Sequence, residues 1–371
     1  MNPLLKKILA ATGMTRRGEL VDATAAIQQA LTDAGGTPRQ PHAEPPAPAA
    51  GPNSDVLDGL VREIDVIPSE EVAAAAVNVP PLVDRPRTGR FSESSFTAAA
   101  GTRGFKLFEP AGFEGALPLV VMLHGCTQDP DAFAAGTRMN ALAEAQGFYV
   151  LYPAQAPRSN AQRCWNWFSA ADQRRGQGEP ALLAGMTRHV MATHPIDPDR
   201  VWVAGLSAGG AMAAILAREY PDLFAAAGVH SGLPPGAAQD VVSAFAAMKS
   251  GSSSAPSPVA GAPLIVFHGD ADATVNALNG SLLVDAALAG APAQAHRETF
   301  AAGAAAHAFT RTIYAPPDGI GPSRAEHWVV HGAGHAWSGG RSEGSYTDPL
   351  GPDASAEMLQ FFLARTRRDP D

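Results

Sequence analysis

The chain has 371 residues, of which 46% are hydrophobic and 17% are charged, and its formal net charge is −9. This length supports one large domain with a sizeable core, together with additional segments. The acidic balance argues against a nucleic-acid-binding surface, because such surfaces depend on Lys and Arg contacts to phosphates. No apolar run approaches the ~20 residues that span a bilayer. We therefore expect neither nucleic acid nor integral membrane association among the partners of this protein.

The N-terminal part of the sequence predicts a helix followed by a linker. The segment RGELVDATAAIQQAL, residues 17–31, places its apolar side chains on one face, which predicts an amphipathic helix within residues 1–33. Residues 34–95 include the Pro-rich stretch GGTPRQPHAEPPAPAAGPNS and are expected to form a linker and an irregular segment. The apolar run near the N-terminus is too short for a secretory signal, so the sequence by itself predicts a cytoplasmic protein.

From residue 96 to residue 368, short apolar runs alternate with helical patterns. The buried strands are predicted from runs such as LPLVVMLHG, FYVLYP, RVWVAG, PLIVFHGD and AEHWVVHG. This alternation is typical of an α/β domain with a mostly parallel sheet and helices on both faces. Several of the runs end in Gly, His or Asp, and the carboxyl ends of parallel strands are where such sheets place their functional sites.

The stretch VWVAGLSAGGAMAAILA places Ser207 between glycines at the point where a strand meets a helix. A turn this tight requires small neighbours and forces its central residue into a strained conformation. The pattern fits the G-x-S-x-G nucleophile elbow, which presents a serine hydroxyl above a parallel sheet. The alternative is a glycine-rich turn whose serine only caps the helix.

A serine nucleophile needs a histidine within hydrogen-bonding reach and a carboxylate that orients this histidine. In α/β-hydrolases the three residues follow each other in the order Ser, acid, His. After Ser207, the segment DADATV offers Asp270 and Asp272, and the segment HGAGHAW offers His331 and His335. We favour His335 because it lies in a glycine-flanked loop beyond the strand end, whereas His331 belongs to the strand terminus. The residues themselves leave the acid open between the two aspartates.

An oxyanion hole requires backbone N–H groups that point at the developing negative charge. The residue after the nucleophile, Ala208, offers one donor, and the loop HGCTQDP offers the second from the amide of Cys126 or of Thr127. Cys126 would act through its backbone, and a cysteine nucleophile is the alternative, although this residue lacks the elbow around it. The other cysteine is Cys164, and the two can pair in an oxidising compartment or stay free thiols in the cytosol.

Several segments together resemble the polyhydroxybutyrate (PHB) depolymerase-type esterase family of the α/β-hydrolases, which is related to feruloyl and acetylxylan esterases. They include LPLVVMLHGCTQDP, CWNWF, RVWVAGLSAGGAM, YPDLFAAAGVHSGLPPG, HGDADATV, GHAWSGG and GSYTDPLGPDASAEM. The resemblance implies an α/β-hydrolase fold with Ser207 as the nucleophile. It implies Asp272 as the acid, because the HGxxDxxV motif falls on residues 268–275, and His335 as the base, because the GxxHxW motif falls there.

The resemblance implies a serine esterase without metal or organic cofactor that acts on PHB-type polyesters, their oligomers or short-chain esters. A feruloyl- or acetylxylan-type esterase is the alternative within this chemistry. A serine peptidase of the same fold and a non-catalytic granule-binding protein are alternatives of other classes. The apolar face of the predicted N-terminal helix would serve docking, self-association or contact with a polyester granule. Secreted members of the family make an extracellular location the alternative to the cytoplasm.

Three tryptophans lie close in sequence to the predicted site. Trp165 and Trp167 belong to the CWNWF segment, and Trp337 follows His335 by two residues. These side chains are candidates for lining an acyl or alcohol subsite. The alternative is that they pack their loops onto the sheet.

Overall fold

The computed structural model describes residues 89–99, 101–253, 261–288, 290–303 and 306–367. The predicted N-terminal helix within residues 1–33, and the predicted linker as far as residue 88, lie outside the described residues. Among the helices of the described residues, none is both long enough and apolar enough to cross a bilayer.

A mostly parallel sheet forms the centre of the described part of the chain. Its strands, in chain order, are β1 (Arg90–Ala98), β2 (Gly101–Glu109), β3 (Leu117–Leu123), β4 (Tyr149–Pro153), β5 (Ile196–Leu206), β6 (Ala226–His230), β7 (Leu264–Gly269), β8 (Gln294–Phe300), β9 (Phe309–Ala315) and β10 (Ala325–Val330). Their order across the sheet is β1-β2-β4-β3-β5-β6-β7-β10-β9-β8. The neighbouring strands β4, β3, β5, β6, β7 and β10 run parallel to one another. At one edge β2 and β1 continue the sheet with antiparallel pairing, and at the other edge β9 and β8 do the same.

The helices and two short strands complete the described elements. The helices are α1 (Pro130–Thr137), α2 (Met139–Gln146), α3 (Gly178–Thr193), α4 (Ala208–Glu219), α5 (Val241–Ser250), α6 (Leu278–Leu288) and α7 (Ala354–Leu363), with a 3₁₀ turn at Ala170–Asp172. The strands β11 (Trp337–Ser338) and β12 (Thr347–Asp348) pair with each other in parallel.

The sheet is buried on both faces, as β3 shows. Leu119, Val121 and Leu123 pack into one apolar layer together with α3, α4, α5 and α6. Val120 and Met122 point the other way and pack with α1, α2 and α7. A strand that is covered on both sides has to be apolar at successive positions, which is why these strands read as continuous hydrophobic runs. The predicted α/β architecture with helices on both faces is confirmed.

Two elements differ from the sequence-based expectation. The first strand begins at Arg90 and pairs with β2 along its whole length, so it starts before the domain boundary expected at residue 96. The antiparallel hairpin of β8 and β9 adds an edge that the alternation of strands and helices did not predict. Most residues of β8 are exposed, so it carries little of the hydrophobic pattern that identifies a buried strand.

Candidate active site

Ser207 occupies the turn between the end of β5 and the start of α4. Its backbone has φ 57° and ψ −119°, a left-handed conformation that a side chain rarely adopts. The neighbouring glycines are needed for the turn to close. A Cβ atom on Gly209 would lie 2.1 Å from the carbonyl oxygen of Leu123, and a Cβ atom on Gly205 would lie 2.4 Å from that of Gly209. This geometry is the strained strand-to-helix turn that the G-x-S-x-G pattern predicts.

The elbow lifts Ser207 out of a fully buried segment. The residues on both sides of it are buried, whereas Ser207 itself is partly exposed. Its N–H donates to the carbonyl oxygen of His230, at the end of the adjacent strand β6, over 2.9 Å. The hydroxyl group therefore lies at the carboxyl edge of the sheet, where parallel strands place their functional side chains.

Asp272 lies in the loop that follows β7, and its carboxylate is held on both oxygens. Oδ1 accepts hydrogen bonds from the N–H groups of Thr274 and Val275, each at 2.8 Å. Oδ2 lies 2.7 Å from Nδ1 of His335 and 3.6 Å from Nε2 of His268. Burial by itself raises the pKa of Asp272, but the two imidazoles and the Val275 N–H outweigh it and hold this pKa well below its usual range.

His335 lies in the loop between β10 and β11, with its side chain 11% exposed. Because the carboxylate of Asp272 can only accept, Nδ1 of His335 carries the proton of this hydrogen bond. The second ring nitrogen, Nε2, is then unprotonated and can accept a proton. The loop is fixed to the acid loop by the hydrogen bond from Ala271 N–H to the carbonyl oxygen of Ala333, at 3.1 Å.

His230 connects the serine turn to the loop after His335. Its carbonyl oxygen accepts from Ser207, its Nε2 accepts from the N–H of Ser338 at 3.0 Å, and its ring stacks on Trp337 with centroids 5.2 Å apart. Burial, together with the nearby His268 and His335, lowers the pKa of His230 to about 3. The imidazole is therefore neutral at ordinary pH and acts as a fixed acceptor.

The loop after β3 brings backbone N–H groups beside the serine. A Cβ atom on Gly125 would lie 3.6 Å from Cβ of Ser207, so this loop adjoins the nucleophile turn. The N–H of Thr127 donates to the carbonyl oxygen of Gln162 at 2.6 Å, and this hydrogen bond removes it as an oxyanion donor. The N–H of Cys126 has no protein acceptor among the described residues. Ala208 is the first residue of α4, so its N–H also has no partner within the helix.

The candidate oxyanion loop is held by a disulfide and by a buried histidine. Cys126 is bonded to Cys164, which settles the pairing that the sequence left open. His124 Nδ1 donates to the carbonyl oxygen of Gly125 at 2.7 Å, and its Nε2 accepts from the N–H of Gln155 at 3.1 Å. Burial lowers the pKa of His124 to about 4, so this residue also stays neutral. Trp165 adds a hydrogen bond from its indole N–H to the carbonyl oxygen of His124 at 3.1 Å.

A buried carboxylate is linked to this loop through Gln155, whose N–H donates to His124, and was not predicted from the sequence. Glu179, on α3, forms an ion pair with Arg103 at 3.3 Å and accepts from the N–H of Asn166 at 2.7 Å. It also accepts from the side-chain amide of Gln155, which donates in turn to the carbonyl oxygen of Cys164. Burial raises the pKa of Glu179 despite these partners. The partners are far apart in sequence, so no local motif could have identified this network.

Left-handed backbone conformations outside glycine gather around this region. Within the described part of the chain, these residues are Thr127, Arg138, Arg163, Ser207, Ser231 and Tyr346. Arg138 joins α1 to α2, and the others lie on the serine turn or on loops connected to it. Strained backbone of this kind persists only where the surroundings impose it, and it concentrates at functional sites.

The three tryptophans proposed for a substrate subsite are buried. Trp165 is 0% exposed, Trp167 is 5% exposed and Trp337 is 1% exposed. The indole N–H of Trp337 donates to the hydroxyl group of Ser355 at 3.0 Å, so its polar edge is also engaged inside the protein. In this structure the three side chains offer almost no surface to a ligand, and the packing alternative accounts for their positions.

The rejected alternatives Asp270 and His331 form a second pair beside the first. His331 Nδ1 lies 2.8 Å from Oδ2 of Asp270, and its Nε2 lies 2.9 Å from the hydroxyl oxygen of Thr310. Asp270 also accepts from the N–H of Gly332 at 2.6 Å. Both ionisable side chains are about two-fifths exposed, and Thr310 lies within β9 rather than on a strained turn.

In the described part of the chain, no cluster of three or more His, Cys, Asp or Glu residues could hold a metal ion.

Comparison with known proteins identifies relatives of this chain among esterases. Residues 104–295 match the family model described as "Esterase PHB depolymerase". A poly(3-hydroxyalkanoate) depolymerase C from Paucimonas lemoignei is 44% identical over 147 residues, which are 40% of this chain and 35% of the relative. A feruloyl esterase B from Thermothelomyces thermophilus is 33% identical over 139 residues, which are 37% of this chain and 47% of the relative. The matched part thus spans about a third of the first relative and about half of the second.

A solved structure shares the fold over most of the chain. An acetyl xylan esterase from Aspergillus awamori superposes with a TM-score of 0.55 at 21% identity and covers 74% of this chain and 99% of its own. At this level of identity the likeness establishes the α/β-hydrolase fold alone.

Proposed function

The chain belongs to the PHB depolymerase esterase family, and on this premise we propose that it is a serine hydrolase of carboxylic esters. The proposed substrates are PHB-type polyesters, their oligomers or short-chain esters. The observation that carries the proposal is the pairing of a strained serine turn at Ser207 with the 2.7 Å contact between His335 and Asp272, on loops at the same edge of the sheet.

The first half of the proposed reaction forms an acyl-enzyme. Ser207 Oγ attacks the ester carbonyl carbon while Nε2 of His335 accepts the hydroxyl proton. The carboxylate of Asp272 holds the tautomer of His335 and stabilises its cation. The N–H groups of Ala208 and Cys126 stabilise the oxyanion of the tetrahedral intermediate, and both lack internal acceptors among the described residues. Collapse of the intermediate expels the alkoxide, which takes the proton from His335.

The second half hydrolyses the acyl-enzyme. A water molecule gives a proton to Nε2 of His335 and attacks the acyl carbon, and the same two N–H groups stabilise the second oxyanion. Release of Ser207 returns the proton from His335 to its Oγ and yields the carboxylic acid. Every proton moves between the substrate, water, Ser207 and His335, so the proposed reaction needs no further acid or base.

A feruloyl- or acetylxylan-type ester substrate is the second candidate. The relative from Thermothelomyces thermophilus carries the name feruloyl esterase B, and the superposed structure carries the name acetyl xylan esterase. The same serine, histidine and aspartate chemistry would cleave these esters, because the acyl group does not alter the bond changes. The size and polarity of the ester groups would separate the two candidates.

A substrate panel with a matched control tests the proposal. The panel holds p-nitrophenyl butyrate, hydroxybutyrate oligomers, PHB film, a methyl ferulate ester and a peptide anilide. We expect hydrolysis of the butyrate ester and the oligomers, and a loss on the order of 10⁶-fold in kcat for Ser207→Ala. Ser281→Ala, at an exposed position of α6, is the control and should match the wild type. More than about a per cent of residual activity in Ser207→Ala would contradict the mechanism.

The disulfide bears on where the protein works. Cys126 and Cys164 are bonded to each other, and disulfides persist in oxidising compartments. This supports the extracellular alternative over the cytoplasmic location. Fractionation of the producing cells, with the redox state of the two cysteines measured by thiol labelling, tests it. Protein found in the cytosol with both thiols free would contradict the extracellular proposal.

A further inference from the structure

The loop that connects β11 to β12 places an exposed aromatic ring next to the candidate oxyanion loop. Tyr346 is 48% exposed, in contrast to the three buried tryptophans. Its hydroxyl oxygen lies 3.4 Å from Oγ1 of Thr127, the residue that follows Cys126. Tyr346 is thus an exposed aromatic side chain in direct contact with the loop that follows β3.

The backbone of Tyr346 is held in a conformation that its side chain does not favour. Its φ is 54°, in the left-handed region, where an aromatic residue is a rare exception. The carbonyl oxygen of Tyr346 accepts from the N–H of Trp337 at 2.7 Å, which ties it to the segment that carries His335. The surrounding contacts therefore hold Tyr346 in a backbone conformation that glycine would adopt with less strain.

The loop around Tyr346 is packed so tightly that the ring has a fixed base. A Cβ atom on Gly344 would lie 2.4 Å from Cα of Gly136 in α1, and Arg341 N–H donates to the carbonyl oxygen of Gly136 at 2.8 Å. On the other side, the amide of Gln128 donates to the carbonyl oxygen of Ser345 at 2.8 Å. The same side chain accepts from the N–H of Gly125, which adjoins Ser207. One glutamine thus links the base of the tyrosine to the nucleophile side of the site.

The contact of its hydroxyl group does not by itself explain why a tyrosine occupies position 346. The hydroxyl of Thr127 donates to the carbonyl oxygen of Cys126 at 2.6 Å, so toward Tyr346 it can only accept. The remaining Tyr346–Thr127 contact, at 3.4 Å, is longer than a normal O–H···O hydrogen bond and contributes little. The exposed ring surface is what a substrate arriving at the oxyanion loop would meet.

We propose that the ring of Tyr346 contacts the hydrocarbon chain of the ester and is a specificity-determining residue for aliphatic acyl and hydroxyalkanoate chains. The proposal rests on the proposed esterase function. An aromatic ring on a rigid base offers a large apolar surface at a small cost in conformational entropy. Its position at the rim, beside the loop that would bind the oxyanion, assigns it to the part of the substrate that extends away from the ester carbonyl.

The test compares ester chain length in variants that separate the ring, the hydroxyl and the backbone. Tyr346→Phe removes the hydroxyl, Tyr346→Ala removes the ring, and Tyr346→Gly removes the ring and relieves the left-handed backbone. The substrates are the p-nitrophenyl esters of acetate, butyrate and hexanoate. The readout is the ratio of kcat/KM for hexanoate to that for acetate. Ile320→Ala is the control, because Ile320 is 76% exposed in the connection from β9 to β10, at the opposite edge of the parallel strands.

We expect Tyr346→Ala and Tyr346→Gly to lower this ratio roughly tenfold, the scale of selectivity that small changes of hydrophobic contact produce. Tyr346→Phe and Ile320→Ala should keep the ratio of the wild type. An unchanged ratio in Tyr346→Ala and Tyr346→Gly, with or without an equal loss of activity on all three esters, would overturn the inference. A ratio in Tyr346→Phe as low as that in Tyr346→Ala would also overturn it. A wild type that hydrolyses none of the three esters, or a Ser207→Ala variant that keeps more than about a per cent of the activity, would overturn the esterase proposal instead.

Discussion

Oδ2 of Asp272 lies 2.7 Å from Nδ1 of His335, within a carboxylate whose side chain is 0% exposed. Its sequence neighbour Asp270 makes an equally short contact to His331, at 2.8 Å, but with a side chain that is 42% exposed. Distance alone therefore does not separate the two pairs. Burial does, because a carboxylate shielded from water fixes and stabilises an imidazolium more strongly than an exposed one.

The two aspartates should differ in their effect on catalysis. Asp272→Asn should reduce kcat on the order of 10⁴-fold, because an amide at this position no longer enforces the productive tautomer of His335. Asp270→Asn should reduce kcat by less than about tenfold, since this residue only ties its loop to His331 and Gly332. Steady-state kinetics on p-nitrophenyl butyrate measure both.

The reverse ranking would show that the acid has been assigned to the wrong pair. In that case His331→Gln should also abolish activity, whereas His335→Gln should not. Circular dichroism of all four variants is the control for folding, since the two loops contact each other through Ala271 and Ala333.

The disulfide should matter more for stability than for chemistry. It closes a segment with a sequence separation of 38, for which the loop-entropy model gives about 4 kcal/mol of the free energy of unfolding. Dithiothreitol should therefore lower the urea midpoint of the wild type. Activity should persist below the new midpoint, because the proposed donor is the N–H of Cys126 and because His124 and Gln128 still hold the loop.

The double variant Cys126→Ala, Cys164→Ala provides the control for reduction. It should resemble the reduced wild type and should not respond to dithiothreitol. Should this folded double variant lose activity as completely as Ser207→Ala, a covalent role for a thiol would replace the backbone role.

The sequence predicts the fold well where buried strands carry continuous apolar runs, as in β3, β5 and β7. The sequence does not predict β1 and β8. Most residues of β8 are exposed, and β1 has only exposed and partly exposed residues, so neither strand carries a buried apolar pattern. The order of the residues along the chain leaves Asp270 and Asp272 open as the acid, and the resemblance to the family selects Asp272. In the structure, Asp272 and His335 are indeed in contact across 63 positions of the chain.

The residues that support the site were beyond prediction from the sequence. His230 reaches Ser338 across 108 positions, and Gln155 reaches Glu179 across 24 positions. The choice between the amides of Cys126 and Thr127 depends on a single hydrogen bond to Gln162, which a sequence does not reveal. Long-range hydrogen bonds of this kind follow from tertiary packing rather than from local pattern.

A glycine in α6 should resist a substitution that usually stabilises helices. A Cβ atom on Gly280 would lie 2.9 Å from Nε2 of His327 and 3.2 Å from Nδ1 of His268, two buried nitrogens without a partner among the described residues. Gly→Ala within a helix normally stabilises by up to about 1 kcal/mol. Here the methyl group would press on two imidazoles behind Asp272, so we expect Gly280→Ala to lower the free energy of unfolding in urea titrations.

Ser281→Ala is the matched control on the same helix, because Ser281 is exposed. It should leave the free energy of unfolding unchanged or raise it slightly. A Gly280→Ala protein that is more stable than the wild type would show that the two histidines move aside without cost.

Buried neutral histidines should make the fold sensitive to moderately acidic pH. Burial is the largest cause that lowers the pKa of His124 and of His327 to about 4, and that of His230 to about 3. An imidazole in the unfolded chain has a pKa of about 6.5. Between these values the unfolded state binds protons that the native state excludes, so the stability is fully present above pH ~6.5 and falls as the pH decreases toward ~4.

Each of these histidines should contribute up to about 1.4 kcal/mol per pH unit to the slope of the free energy of unfolding within this window. His327→Phe is the informative variant, because Nε2 of His327 has no partner among the described residues and its loss breaks no hydrogen bond of that atom. We expect this variant to lower the slope between pH 6.5 and 4 by up to about 1.4 kcal/mol per pH unit, since it removes one group that binds a proton only in the unfolded chain. His296→Gln, whose side chain is 69% exposed in the wild type, is the control and should keep the full slope. Urea unfolding at half-unit pH steps measures the slope, and a wild-type stability that stays flat across this window would show that the three imidazoles are protonated in the native state.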